Sequence, residues 1–161
     1  MRLLLIRHAI AIPSGGAMND KDRPLTHAGE QSFRQTARLL ARMARKPRAI
    51  LTSPLMRAQQ TALIAAQAWD NMHPIVVPAL AEGDWPGIRR ALAAYKTDDT
   101  IALVGHETWI SAITARILGS RSRRAFDYRK GGVALFEIEN LKTCQGSLLW
   151  FIPPRVFRRL E

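Results

Sequence analysis

Apolar residues fill positions 3–6 without a break in RLLLIRHA, and the run stops at Arg7 and His8. An unbroken run of this kind is the pattern of a strand covered on both faces. It returns in AILTS at 49–53 and TIALVG at 100–105, with a shorter run, PIVV, at 74–77. Between these runs the apolar period becomes helical. From His27 to about Arg45, Phe33, Ala37, Leu40, Ala41 and Ala44 share one face, and Arg34, Arg38, Arg42 and Arg45 share another. Leu55, Ala58, Ala62, Ala65 and Trp69 set a second helix. Trp85 to Tyr95 sets a third, and Ile110, Ile113 and Ile117 a fourth. VALFEIE at 133–139 and SLLWFIP at 147–153 predict two closing strands, with a terminal turn in the tail from 154 to 161.

Turn chemistry separates these segments. Residues 9–25 hold Pro13, Gly15, Gly16 and Pro24 and read as a loop, after which Thr26 predicts a helix N-cap. Ser53 followed by Pro54 predicts another N-cap. Strands alternating with helices imply βαβ units. The expected fold is α/β: one three-layer α/β/α domain over 1–161, with a mostly parallel central sheet and a C-terminal β-hairpin.

Composition narrows the function classes. The 161 residues suit one core, 47% of them being hydrophobic and 23% charged. No apolar run approaches a membrane span, and the N-terminal run is too short for a signal peptide. Cys144 stands alone, which excludes an intrachain disulfide and fits a reducing compartment. A soluble, cytoplasmic protein with no membrane partner is expected. The four histidines are widely spaced and lack a metal-ligand pattern, so neither metal nor cofactor is expected. Twenty-four Lys and Arg against thirteen Asp and Glu give a net charge of +11. Such a chain attracts phosphorylated substrates, acidic proteins, nucleic acid or polyphosphate. The basic stretch 119–132, with Arg121, Arg123, Arg124, Arg129 and Lys130, reads first as a solvated loop and second as a surface for an acidic partner.

The unusual polar residues all follow strands. Arg7 and His8 end the first, Ser53 ends the second with Arg57 just beyond, and His106 ends the fourth. In an open α/β sheet, ligands bind outside the carboxyl ends of the strands. If the first, second and fourth strands are neighbours, two histidines and two arginines converge on one crevice, together with two helix N-termini. Guanidinium groups clamp phosphate oxygens in planar, bidentate fashion. Neutral imidazole can attack phosphorus and carry a covalent intermediate. His27 and His73 follow no strand and are expected on the surface. The four tryptophans are expected in the core or at the pocket wall.

Four stretches in order, LLLIRHA, DRPLTHAGE, ILTSPLMRAQQTA and IALVGHE, spread from residue 2 to about 107, resemble the histidine phosphatase superfamily. The short chain and RPLT…G look most like its small SixA-type branch of phosphohistidine phosphatases. The resemblance implies that His8 is the nucleophile, that Arg7, Arg57 and His106 bind phosphate, and that no metal is needed. Ala9 stands where glycine is usual and could narrow the approach. For a general acid the candidates are Glu82 and Asp84 in ALAEGDW, Asp84 serving equally well as a helix cap. The implied substrate is a phosphohistidine protein. A phosphate ester or pyrophosphate metabolite is the alternative, and a polyanion-binding module with an inactive pocket is a reading of another class. Nucleic acid or polyphosphate binding is not favoured.

Overall fold

Six strands form one sheet in the computed structural model, which describes residues 1–15, 17–122 and 126–157. The strands are β1 (Arg2–Arg7), β2 (Ala49–Thr52), β3 (Ile75–Val76), β4 (Thr100–Gly105), β5 (Val133–Asn140) and β6 (Gln145–Ile152). The helices are α1 (His27–Met43), α2 (Met56–Ala68), α3 (Trp85–Leu92), α4 (Glu107–Ile117) and α5 (Pro154–Phe157). Across the sheet the order is β3-β2-β4-β1-β5-β6. The first four run parallel, and β5 and β6 pair antiparallel at the β1 side.

Alternation along β1 and β4 divides the core into two layers. Leu4, Ile6, Ala102 and Val104 face α1 and α2, where Phe33, Leu40, Ala58, Ala62 and Trp69 pack on them. Leu3, Leu5, Ile101 and Leu103 face Trp85 and Ile88 of α3 and Trp109, Ile110 and Ile113 of α4. A continuous apolar run is therefore what a strand between two helical layers requires. The architecture is the expected three-layer α/β/α arrangement, and β5 and β6 form the expected hairpin.

Thr26 caps α1, its hydroxyl accepting from the Gly29 N–H at 3.0 Å. Arg34, Arg38, Arg42 and Arg45 are exposed, as the polar face predicted. Several boundaries differ from the pattern. α1 stops at Met43 rather than Arg45, because Pro47 biases the residues before it away from helical geometry. α3 ends at Leu92, short of Tyr95. The third strand shrinks to Ile75–Val76, flanked by Pro74 and Pro78, which have no N–H for the ladder. α2 begins at Met56, with Leu55 still extended, so Ser53 is not its N-cap. Gly16 of the 9–25 loop, Arg123 and Arg124 of the basic stretch, and the end of the tail lie outside the described residues. No helix among the described residues is long and apolar enough to cross a membrane.

Candidate active site

Strand order decides which chain segments meet. β4 lies between β1 and β2, so their carboxyl ends stand side by side, with Arg7 opposite Gly105 and Thr52 opposite Val104. The ladder continues beyond both strands. The His8 N–H donates to the Gly105 carbonyl at 2.9 Å, and the Ser53 N–H to the Val104 carbonyl at 3.1 Å. His8, Ser53 and His106 are thereby carried to one end of the sheet by backbone pairing alone.

The two imidazoles are neighbours, with ring centroids 5.1 Å apart and planes tilted by 52°. Both are buried, His8 at 7% and His106 at 8% exposure. His8 Nδ1 lies 2.8 Å from the Ala9 carbonyl oxygen. A carbonyl only accepts, so Nδ1 carries the proton and the Nε2 lone pair is free. Burial is the main cause that pushes the His8 pKa down to about 3, with His106, Arg57 and Arg7 adding repulsion against the Ala9 hydrogen bond. Burial likewise pushes His106 to about 4, the positive field of Arg57 adding to it. Both rings are neutral at pH 7.

His106 is the residue before α4, and its Nε2 lies 2.8 Å from the Ser53 hydroxyl. That hydroxyl also accepts from the Leu55 N–H at 3.3 Å. Arg57 leaves the first turn of α2. Its Nη1 donates to the Asp20 carbonyl at 2.8 Å and its Nη2 to the Asp20 carboxylate at 3.1 Å. Asp20 is also held by Arg23, whose Nε donates to it at 2.8 Å, and this hydrogen bond is the chief cause holding its carboxyl below the usual range. Arg7 donates to the Tyr128 carbonyl and stands 3.4 Å from the Glu107 carboxylate. The loop before β5 closes this side, the Gly131 N–H reaching the carbonyls of Arg7 and His8 at 3.2 and 3.1 Å. Nε of Arg7, Nε of Arg57 and Nδ1 of His106 are buried without a hydrogen-bond partner among the described residues.

His8 and His106 lie side by side, and Arg7 and Arg57 stand near enough for their charges to act on both rings. Ala9 is buried in the apolar layer with α1 and α2, and its N–H donates to Thr61 at 3.0 Å. Asp84 caps α3, its carboxylate accepting from the Gly87 N–H at 3.1 Å. Glu82 is exposed one residue before Gly83, which packs directly on Trp109. Neither carboxylate makes a described contact with the histidines or arginines. His27 and His73 are exposed. Sequence reasoning missed Ser53 as the partner of His106, and it missed Asp20 and Glu107 as the partners of the arginines. Glu107 carried a weak signal, an acid in the first turn of a helix directly after His106. Asp20 had none, because its partner is 37 residues away.

Residues 3–97 match the model of the histidine phosphatase superfamily (branch 1). An uncharacterised protein of Picosynechococcus is 33% identical over 136 residues, covering 83% of this chain and 82% of its own length. The solved structure of the protein histidine phosphatase SixA complexed with tungstate superposes with a TM-score of 0.82 at 22% identity, over 100% of both chains. Phosphoserine phosphatase from Entamoeba histolytica with bound 3-phosphoglyceric acid superposes at 0.68 and 16% identity, over 93% and 95% of the two chains. The fold is thus shared with phosphatases of differing substrates, and the matched segment, residues 3–97, spans Arg7, His8 and Arg57. This chain belongs to the histidine phosphatase superfamily.

Proposed function

We propose that this phosphatase removes the phosphoryl group from phosphohistidine on a protein, through a covalent intermediate on His8 and without a metal. The observation that carries the reading is the His8 ring itself, held neutral by burial and fixed by the Ala9 carbonyl so that Nε2 is free to attack. Nε2 forms a bond to phosphorus while the N–P bond of the substrate breaks. The departing electron pair returns to the substrate imidazole, which takes up a proton. Water then attacks phospho-His8, its P–N bond breaks, and inorganic phosphate leaves with the ring neutral again. Arg7 and Arg57 neutralise the equatorial oxygens during both transfers. The buried Nε atoms of both arginines would find acceptors on that anion.

Ser53 assigns a role to His106. Its hydroxyl accepts from Leu55 and has its own proton to give to His106 Nε2. In this reading the ring's N–H is on Nδ1, the buried unpartnered nitrogen, which donates to a phosphoryl oxygen.

A leaving imidazole needs less protonation than an alkoxide. A site in which one candidate acid, Asp84, is engaged in a helix cap and the other, Glu82, is exposed and makes no described contact with the histidines therefore suits an N–P bond better than an ester. The likeness to a phosphoserine phosphatase supports a second reading, an ester hydrolase with Glu82 as acid. Purified protein given a phosphohistidine peptide should release phosphate without added metal, and His8→Ala should not. An acid-labile, alkali-stable phosphoenzyme label should map to His8. Equal rates for the two proteins overturn the reading. Faster turnover of esters, lost in Glu82→Gln, replaces it with the second.

A further inference from the structure

We propose that the groove beside Arg7 receives an acidic stretch of polypeptide flanking the phosphorylated side chain of the substrate protein. The proposal rests on the phosphohistidine reading above and names what that substrate presents next to its phosphoryl group. The groove has a volume of about 660 Å³, within the range that holds a ligand larger than a phosphate. Three separate segments build it: Ile10 after β1, residues 127–130 before β5, and the end of β6 running into α5.

Its wall is cationic. Arg7, Arg129, Lys130 and Arg155 line it, against one carboxylate, Asp127, among the described lining residues. Asp127 stands 2.7 Å from Arg129, but both side chains are largely exposed, so an incoming carboxylate meets little resistance from that pair. Ile10 and Phe151 supply apolar surface. Phe151 is fixed edge-on to Tyr128, ring centroids 4.9 Å apart.

The groove is mechanically one with the phosphate site. Tyr128 supplies the carbonyl that holds Arg7, and Gly131, one residue past Lys130, hydrogen-bonds the carbonyls of Arg7 and His8. Arg7, the arginine beside His8 in the chain, is itself a lining residue of the groove, so a substrate held by Arg7 has part of its remainder within reach of it. A small doubly charged ligand would call for buried, preorganised donors. Here the outer cations, Arg129, Lys130 and Arg155, are exposed, which suits guidance of a macromolecular anion along a rim.

The test compares two phosphohistidine peptides of equal length, with Asp/Glu or with Ser/Gln flanks, and phosphoramidate, which has no flank. Wild-type protein should prefer the acidic peptide about tenfold in kcat/KM at low salt, and the preference should shrink as salt rises. Lys130→Glu combined with Arg155→Glu should abolish the preference while phosphoramidate is still hydrolysed. Arg38→Glu combined with Arg42→Glu, on the exposed face of α1, should preserve it. Equal kcat/KM for the two peptides, or the same loss in the α1 variant, overturns the proposal alone. Failure on all three substrates overturns the phosphohistidine reading and this proposal with it.

Discussion

Ser53 and His106 join the ends of β2 and β4, the serine hydroxyl lying 2.8 Å from the imidazole Nε2. In the function proposed above, this contact sets which nitrogen of His106 faces the phosphoryl group. Ser53→Ala removes the proton that holds Nε2 as acceptor and lets the ring adopt the other tautomer. We expect kcat to fall about tenfold, equivalent to ~1.4 kcal/mol of transition-state stabilisation, with KM little changed. Steady-state kinetics of the variant check this, and an unaltered kcat would show that the tautomer of His106 does not matter.

The two histidines make stability fall in acid. Their folded pKa values, about 3 for His8 and about 4 for His106, lie below the ordinary 6.5. The unfolded chain therefore binds more protons than the folded one once pH drops below 6.5. Their contribution is complete above that pH and is lost progressively down to the folded values. Urea unfolding at pH 7 and pH 5 should show lower stability at pH 5, with a weaker pH dependence in His8→Ala. Side-chain NMR should find both rings neutral at pH 5.5.

Asp84 is a cap by its geometry. Asp84→Ala should cost ~1 kcal/mol of stability, and Asp84→Asn much less, since asparagine caps as well as aspartate. Turnover lost equally in both, at unchanged stability, would mark Asp84 as a proton donor instead.

Trp109 leaves no room at two glycines. A Cβ on Gly105 would lie 2.0 Å from Trp109 Cζ2, and one on Gly83 would lie 2.1 Å from its Cβ. The ring is further held by its Nε1, which donates to the Leu80 carbonyl at 2.9 Å. Gly105→Ala should cost ~2 kcal/mol or more by overpacking. It should also displace His106, the next residue, so turnover falls even where the variant remains folded by circular dichroism.

Asp20 holds the Arg57 guanidinium through its carbonyl and its carboxylate. With Arg57 as the phosphate clamp proposed above, Asp20→Asn removes a competing charge and should tighten inorganic phosphate binding severalfold in calorimetry. Weaker binding would mean that the carboxylate orders the loop more than it screens the arginine.

Much of this was legible along the chain. Continuous apolar runs announced β1, β2 and β4 because both faces of each strand are covered, and the period of Phe33, Ala37 and Leu40 announced α1 because one face packs on the sheet. The boundary errors are local, at Pro47, Pro74, Leu55 and Leu92, where small backbone preferences compete. The missing site residues are of another kind. Asp20 and Glu107 look like ordinary surface acids until Arg57 and Arg7 are brought to them.

The sequence by itself determined which segments become strands and helices, and that Arg7, His8, Arg57 and His106 follow strand ends. Those are short-range matters of periodicity and turn chemistry. Only the tertiary structure decided that β4 lies between β1 and β2, that a serine orients the second histidine, and that the loop before β5 walls the site. Strand order depends on how crossover helices bury their faces over long stretches of chain, and no local pattern records it.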